Sequence, residues 1–130
     1  MPHIILECSD NIIESDLKPI CVDIQNILVD KLPTQLDSCK SRIIRHKNYV
    51  LGDNHINNAF VHVFISVMPG REQKLINIIS EIILDRLKEF FLESLNCLNL
   101  QLSVAINDLP ESYRKFKKVN SPAPTPTPCG

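Results

Sequence analysis

Pro2 directly follows Met1 and is succeeded at once by a strand-like run: His3, Ile4, Ile5, Leu6, Glu7 and Cys8. Removal of Met1, usual before a small second residue, would leave Pro2 as a secondary amine on a rigid ring at the start of a strand. An ordinary α-amino group titrates near ~8, and partial burial disfavours its charged form and lowers that value toward neutrality. An amine so tuned can abstract a proton at neutral pH. The alternative is a proline that merely opens a strand, where its missing N–H costs nothing.

Composition narrows what such a base could serve. With 130 residues, 44% of them apolar, the chain can bury one core, and is small enough for association to supply part of its stability. Its 14 basic residues balance 15 acidic ones, so no long-range field draws it to nucleic acid or to an anionic membrane. Small molecules or further copies of the chain are the expected partners. No apolar run reaches the ~20 residues that cross a bilayer, and no basic, cleavable leader is visible, so a cytoplasmic location is expected. Cys8, Cys21, Cys39, Cys97 and Cys129 form no C-x-x-C pair and are odd in number, which predicts reduced, mostly buried thiols, Cys129 in a polar tail excepted. His3, His46, His55 and His62 lack metal-binding spacing, so no metal site is expected.

The elements that must position Pro2 repeat in two halves. Strand His3 to Cys8 leads through a Ser9-Asp10-Asn11 turn into a helix whose apolar residues Leu17, Ile20, Cys21, Ile24, Ile27, Leu28 and Leu32 recur at three- and four-residue steps. Ser15 or Asp16 would cap it, and Pro33 ends it. A second strand spans about Lys40 to Lys47. The second half opens with an alternating strand, Ala59 to Val67, and turns at Pro69-Gly70. It continues as one long helix, roughly Glu72 to Leu95, and closes with a strand alternating from Leu98 to Asn107. Two right-handed β-α-β units joined into a four-stranded mixed sheet, with both helices on one face, form an α+β sandwich. The other sheet face is semi-polar, which fits burial in a closed homo-oligomer. A domain over 1–119 is followed by a Pro-rich segment, 120–130, that reads as an extended tail.

Parallel pairing in the first unit puts Pro2 at the same sheet edge as Lys40 and Arg42. An antiparallel second unit brings Arg71 there as well, at a helix N-terminus whose amides and guanidinium favour a carboxylate. Phe60, Phe64 and Val67 are candidates for an apolar wall, though core or subunit packing is the simpler role. His62 reads as a hydrogen-bonded structural residue rather than a carbonyl-polarising one.

The opening Pro2 to Ile12, the Ser41-Arg42 pair, Ala59-Phe60-Val61-His62 and Gly70-Arg71 closely resemble the 5-carboxymethyl-2-hydroxymuconate Δ-isomerase family of the tautomerase superfamily, over about residues 2 to 110. The resemblance implies a trimer of β-α-β repeats and Pro2 as catalytic base, without cofactor or metal. It also implies that Arg71 binds substrate, and that Arg42 is the second arginine of the family's Arg-Ser-Arg triplet. Lys40 replaces the first, keeping the charge but losing the planar fork.

The expected reaction is therefore a proton shift in a small, anionic, unsaturated keto or enol acid. Neutral Pro2 acts as base, while Lys40, Arg42 and Arg71 hold the carboxylates and the dienolate. Two alternatives stay open at this level. One is a hydratase or dehalogenase in which Pro2 remains protonated, and the other is a non-catalytic oligomeric binding protein that keeps Met1.

Overall fold

The computed structural model describes residues 1–119. The Pro-rich segment and Cys129 lie outside them. Strand β1 (His3–Ser9) leads to helix α1 (Lys18–Lys31), a single 3-10 turn (Leu36–Ser38) and strand β2 (Lys40–His46). The second half comprises β3 (Asn58–Val67), α2 (Gln73–Phe90), α3 (Leu92–Cys97) and β4 (Asn99–Asp108). The sheet order is β2-β1-β3-β4. Its outer pairs are parallel, and the central pair, β1 with β3, is antiparallel. This is the four-stranded mixed α+β architecture that the alternation and helical periods predict.

Period-two patterning divides the sheet faces. Ile4, Leu6 and Cys8 of β1 and Ala59, Val61, Val63, Ile65 and Val67 of β3 turn inward and are buried. They meet Ile20, Ile24 and Leu28 of α1 and Ile79, Ile83 and Leu87 of α2 in one core. Both helices therefore cover the same face. On the other face, partly exposed Ile5 and Phe64 lie between polar neighbours such as Glu7 and His62. β2, at the sheet edge, has no fully buried residue.

Helix α1 starts at Lys18 with Leu17 as N-cap rather than Ser15 or Asp16. Asp16 still contributes, its Oδ1 accepting from the Lys18 N–H at 3.1 Å. Pro19 sits in the first turn, where no intrahelical donor is needed.

The single helix expected over Glu72 to Leu95 is instead two. The four-residue row Ile79, Ile83, Leu87, Phe91 is buried throughout, but the chain leaves helical geometry at Phe91 (φ −95°, ψ 24°) before α3 begins. The cause lies far away in sequence. Glu14, in the β1–α1 connection, receives the Ser94 hydroxyl and, at 3.3 Å, the Ser94 backbone N–H. Ser94 Oγ in turn accepts from the Ile13 N–H at 2.9 Å. A carboxylate thus meets an amide of the first turn of α3, a donor that the short helix cannot satisfy itself. Because no Pro or Gly marks this break, local periodicity runs straight through it.

The thiols also differ from expectation. Cys8 and Cys21 are buried, but Cys39 is only partly so and Cys97 is exposed, all four being free. No helix among the described residues is long and apolar enough to cross a membrane.

Two substitutions test these contacts. Ile83→Ala, which empties a fully buried position, is expected to cost about 2–5 kcal/mol of unfolding free energy. Glu14→Ala, which strips the partners from Ser94, is expected to cost about 1–3 kcal/mol. Urea denaturation reads both, and an unchanged midpoint for Glu14→Ala would show that the tie to α3 contributes nothing.

Candidate active site

Strand direction decides which side chains can meet. β1 and β2 begin at one edge of the sheet, and β3 and β4 end there, since His3 pairs with both Lys40 and Ser66, and Ser66 with Asn107. Pro2 is buried at this edge, and its carbonyl accepts from the Lys40 N–H at 3.1 Å. With Met1 in place, the Pro2 ring nitrogen is an amide; the chain's free amine is that of Met1.

Beyond β3 the chain turns through Met68, Pro69 and Gly70. Gly70 has φ 98°, the left-handed region that glycine adopts without strain, and a side chain there would have space but not the dihedral. This turn delivers Arg71 to the amino end. A cleft of about 420 Å³ opens between Met1, Ser38, Met68, Arg71 and the Pro33–Gln35 loop. Arg71 also borders a smaller hollow of about 210 Å³ beside Gln73, Ile76 and Asn107. Its Nε is buried and has no hydrogen-bond partner among the described residues. Such a donor has given up water without return, an arrangement that an anionic ligand would relieve.

Lys40 stands beside the same edge, its Nζ 3.4 Å from the Ser38 carbonyl. Arg42 is further along β2, opposite Ile5 in register, with its Nη1 3.4 Å from His3 Nδ1. Of the four residues singled out from sequence, Pro2, Lys40 and Arg71 gather at the edge. Arg42 lies two residues further along the same face of β2 as Lys40, and of the four it is Arg71 that lines the cleft.

The segment after β4 adds residues to which sequence reading gives no role. The Leu109 N–H donates to the Val67 carbonyl at 2.7 Å, and the chain then folds back toward the amino end. Tyr113 Oη lies 3.1 Å from His3 Nε2. Lys115 Nζ rests against Met1 Sδ and lies 3.4 Å from Ser38 Oγ, while Lys117 pairs with Asp37 at 2.5 Å. A signal for this existed: a β4 parallel to β3 must end where β3 ends, so whatever follows starts beside Pro2.

These surroundings act on the terminal amine. Burial foremost, then the positive charges of Lys115, Arg71 and Lys40, hold its pKa below the usual α-amino value, against an opposing effect of Cys39. His3 is lowered as well, by burial and then by Arg42 and Lys40.

The remaining candidates have structural roles. His62 Nδ1 is 2.7 Å from Ser103 Oγ. Val67 is in the core, Phe60 stacks on His46 with centroids 6.1 Å apart, and Phe64 is partly exposed on the open face.

Comparison with known proteins places this geometry in context. Residues 2–123 match the family model described as 5-carboxymethyl-2-hydroxymuconate isomerase. The chain is 28% identical over 121 residues to the 5-carboxymethyl-2-hydroxymuconate Delta-isomerase of Escherichia coli, covering 92% of this chain and 95% of that one. The crystal structure of a 5-carboxymethyl-2-hydroxymuconate isomerase from Deinococcus radiodurans R1 superposes with a TM-score of 0.80 at 24% identity, covering 92% of this chain and 90% of that one. A more distant likeness of fold is to a fused 4-OT wild-type symmetric trimer, with a TM-score of 0.62 at 12% identity over 88% of this chain and 90% of that one.

Lys40→Gln removes one of the charges that depress the amino terminus, so the titration of the terminal nitrogen, followed by 15N NMR, is expected to move upward. Added salt should reproduce part of that rise. A titration unmoved by either would show that burial alone sets it.

Proposed function

The chain belongs to the 5-carboxymethyl-2-hydroxymuconate isomerase family, and we propose that it is a cofactor-independent isomerase whose base is Pro2, freed by removal of Met1. Its substrate in this reading is a small, unsaturated keto or enol acid with more than one carboxylate, of the muconate type. The observation that carries the reading is the amino end itself: the Met1 amine, lowered first by burial and then by three cations, next to Pro2 and near an arginine whose Nε lacks a partner among the described residues.

The chemistry follows from those surroundings. A prolyl nitrogen placed where the Met1 amine is held below the ordinary α-amino value would carry more of the neutral form, which can remove a proton α to a carbonyl. The electrons released delocalise into a dienolate, whose negative charge is stabilised by cations that are already in place. Arg71 offers a planar fork to one carboxylate, and Lys40 offers a point charge to the enolate oxygen or a second carboxylate. Arg42, on the open face, is given the part of the substrate that extends past the cleft. The prolinium formed then returns its proton to a more distant carbon, completing a shift without net gain or loss.

The same cations disfavour the alternative in which Pro2 stays protonated, because each of them makes a second positive charge harder to hold. The open sheet face supports assembly as a homotrimer: Ile5, Phe64 and Ala105 are partly exposed there among His62, Ser103 and Glu7. Light scattering on the eluted protein tests the assembly directly.

Intact mass and kinetics test the mechanism. The purified chain is expected to lack Met1 and to ketonise 2-hydroxymuconate, and Pro2→Ala is expected to lower kcat/KM by about 10²-fold or more. Activity should rise with pH as the amine loses its proton and level off above a pKa that lies below the ordinary value near ~8. Retention of Met1 would leave no prolyl amine and would defeat the proposal.

A further inference from the structure

We propose that Lys115, carried back to the amino end by the segment after β4, binds a second carboxylate of the substrate and so determines specificity for diacids. The inference rests on the isomerase reading above and adds to it a residue and an element.

The segment is anchored on both sides of Lys115. Two residues before it, Tyr113 Oη meets His3 Nε2 at 3.1 Å; two residues after it, Lys117 Nζ meets Asp37 Oδ2 at 2.5 Å. Nearer β4, the Leu109 N–H joins the Val67 carbonyl at 2.7 Å, and the Tyr113 N–H closes a turn on the Pro110 carbonyl at 2.9 Å. The backbone at Lys115 is therefore held in place across the opening strand, rather than left to wander from the sheet.

Among the described residues, the Lys115 ammonium is in contact with no carboxylate. Its contacts are Met1 Sδ and, at 3.4 Å, Ser38 Oγ, both uncharged. An ammonium has three donors and no acceptor, so one hydroxyl leaves most of its capacity unused. The nearby carboxylate, Asp37, is engaged by Lys117. Burial first, and then the charges of Lys40 and Lys117, lower the Lys115 pKa, with Asp37 opposing. Ser38 ties the cations together: Lys40 Nζ lies 3.4 Å from its carbonyl, Lys115 Nζ 3.4 Å from its hydroxyl, and Ser38 lines one cleft with Arg71.

The Met1 thioether touches Lys115, and Met1 lines the cleft together with Ser38 and Arg71. Removing Met1 would take away the thioether on which Lys115 rests and leave its donors facing the space beside the new prolyl nitrogen. A ligand with one carboxylate on the Arg71 fork would then present a second one to Lys115. A monocarboxylate would leave that ammonium unused, so the two ligand types should depend on Lys115 very differently.

The experiment compares full-length wild type, Lys115→Gln and Lys115→Arg on a diacid, 2-hydroxymuconate, and a monoacid, phenylenolpyruvate. Lys115→Gln is expected to lower kcat/KM for the diacid about tenfold, the scale of one lost charge-assisted contact, chiefly through KM. Compared at a pH above the amine's titration, where loss of the Lys115 charge no longer alters how much base is neutral, the monoacid should change by less than about twofold, and Lys115→Arg should recover most of the diacid activity, because it restores the charge. Equal losses on both substrates, or no loss on either, overturn the role of Lys115 while leaving the isomerase reading in place. A wild-type chain, shown to lack Met1, that turns over neither substrate overturns both.

Discussion

The antiparallel pairing of β1 with β3 is the constraint from which the rest of the molecule follows. Each β-α-β unit alone is a parallel strand pair with one helix, too small to cover its own apolar face. Joined head to tail through Cys8↔Val61 and His3↔Ser66, the two units bury the inward residues of both central strands under both helices. The same pairing brings two strand starts and two strand ends to a single edge. That edge is where an amine, Lys40 and Arg71 meet, so the core and the candidate site are two results of one pairing.

Gathering positive groups in this way has an energetic cost in the empty protein. Each cation raises the cost of protonating the amine, and Lys115 is itself held below its ordinary pKa, by burial and then by the charges of Lys40 and Lys117. What stabilises the arrangement is the core beneath it, not any charge balance at the edge. Arg71 shows this most clearly: Gly70, in the left-handed region, sets its direction, and its Nε is buried without an acceptor. Such strain in hydrogen bonding is tolerable when burial elsewhere is extensive, and it lowers the cost of taking up an anion.

Much of this was legible in the sequence, and what was not has definite causes. Strict alternation in β3 and β4 fixed both faces of the sheet, since one residue of slippage would have exposed Val61, Val63 and Ile65 together. Pro33 and the Pro69-Gly70 turn marked helix limits because their backbones permit little else. The convergence of Pro2, Lys40 and Arg71 followed from strand direction alone. Arg42 shares the open face with Lys40, two residues earlier on β2, and the step of some ~6–7 Å between them sets it further from the amino end, beside His3. The break at Phe91 was hidden because its cause, Glu14, lies in the other half of the chain. Tyr113 and Lys115 carry no local pattern, and their positions depend on where β4 ends rather than on their neighbours in sequence.

The tie from Glu14 to Ser94 has a bearing on how the chain acquires its shape. It links the connection leaving the first strand to a helix of the second half, just as β1 finds its central neighbour only after the whole first unit has been traversed. Contacts of such long sequence separation close large loops before they return any stabilisation, which makes folding slow and concerted. Neither half is thus an autonomous folding unit, despite its self-contained strand-helix-strand pattern. The strand-helix-strand pattern is repeated in the architecture, but each half finds cover for its apolar face only in company with the other.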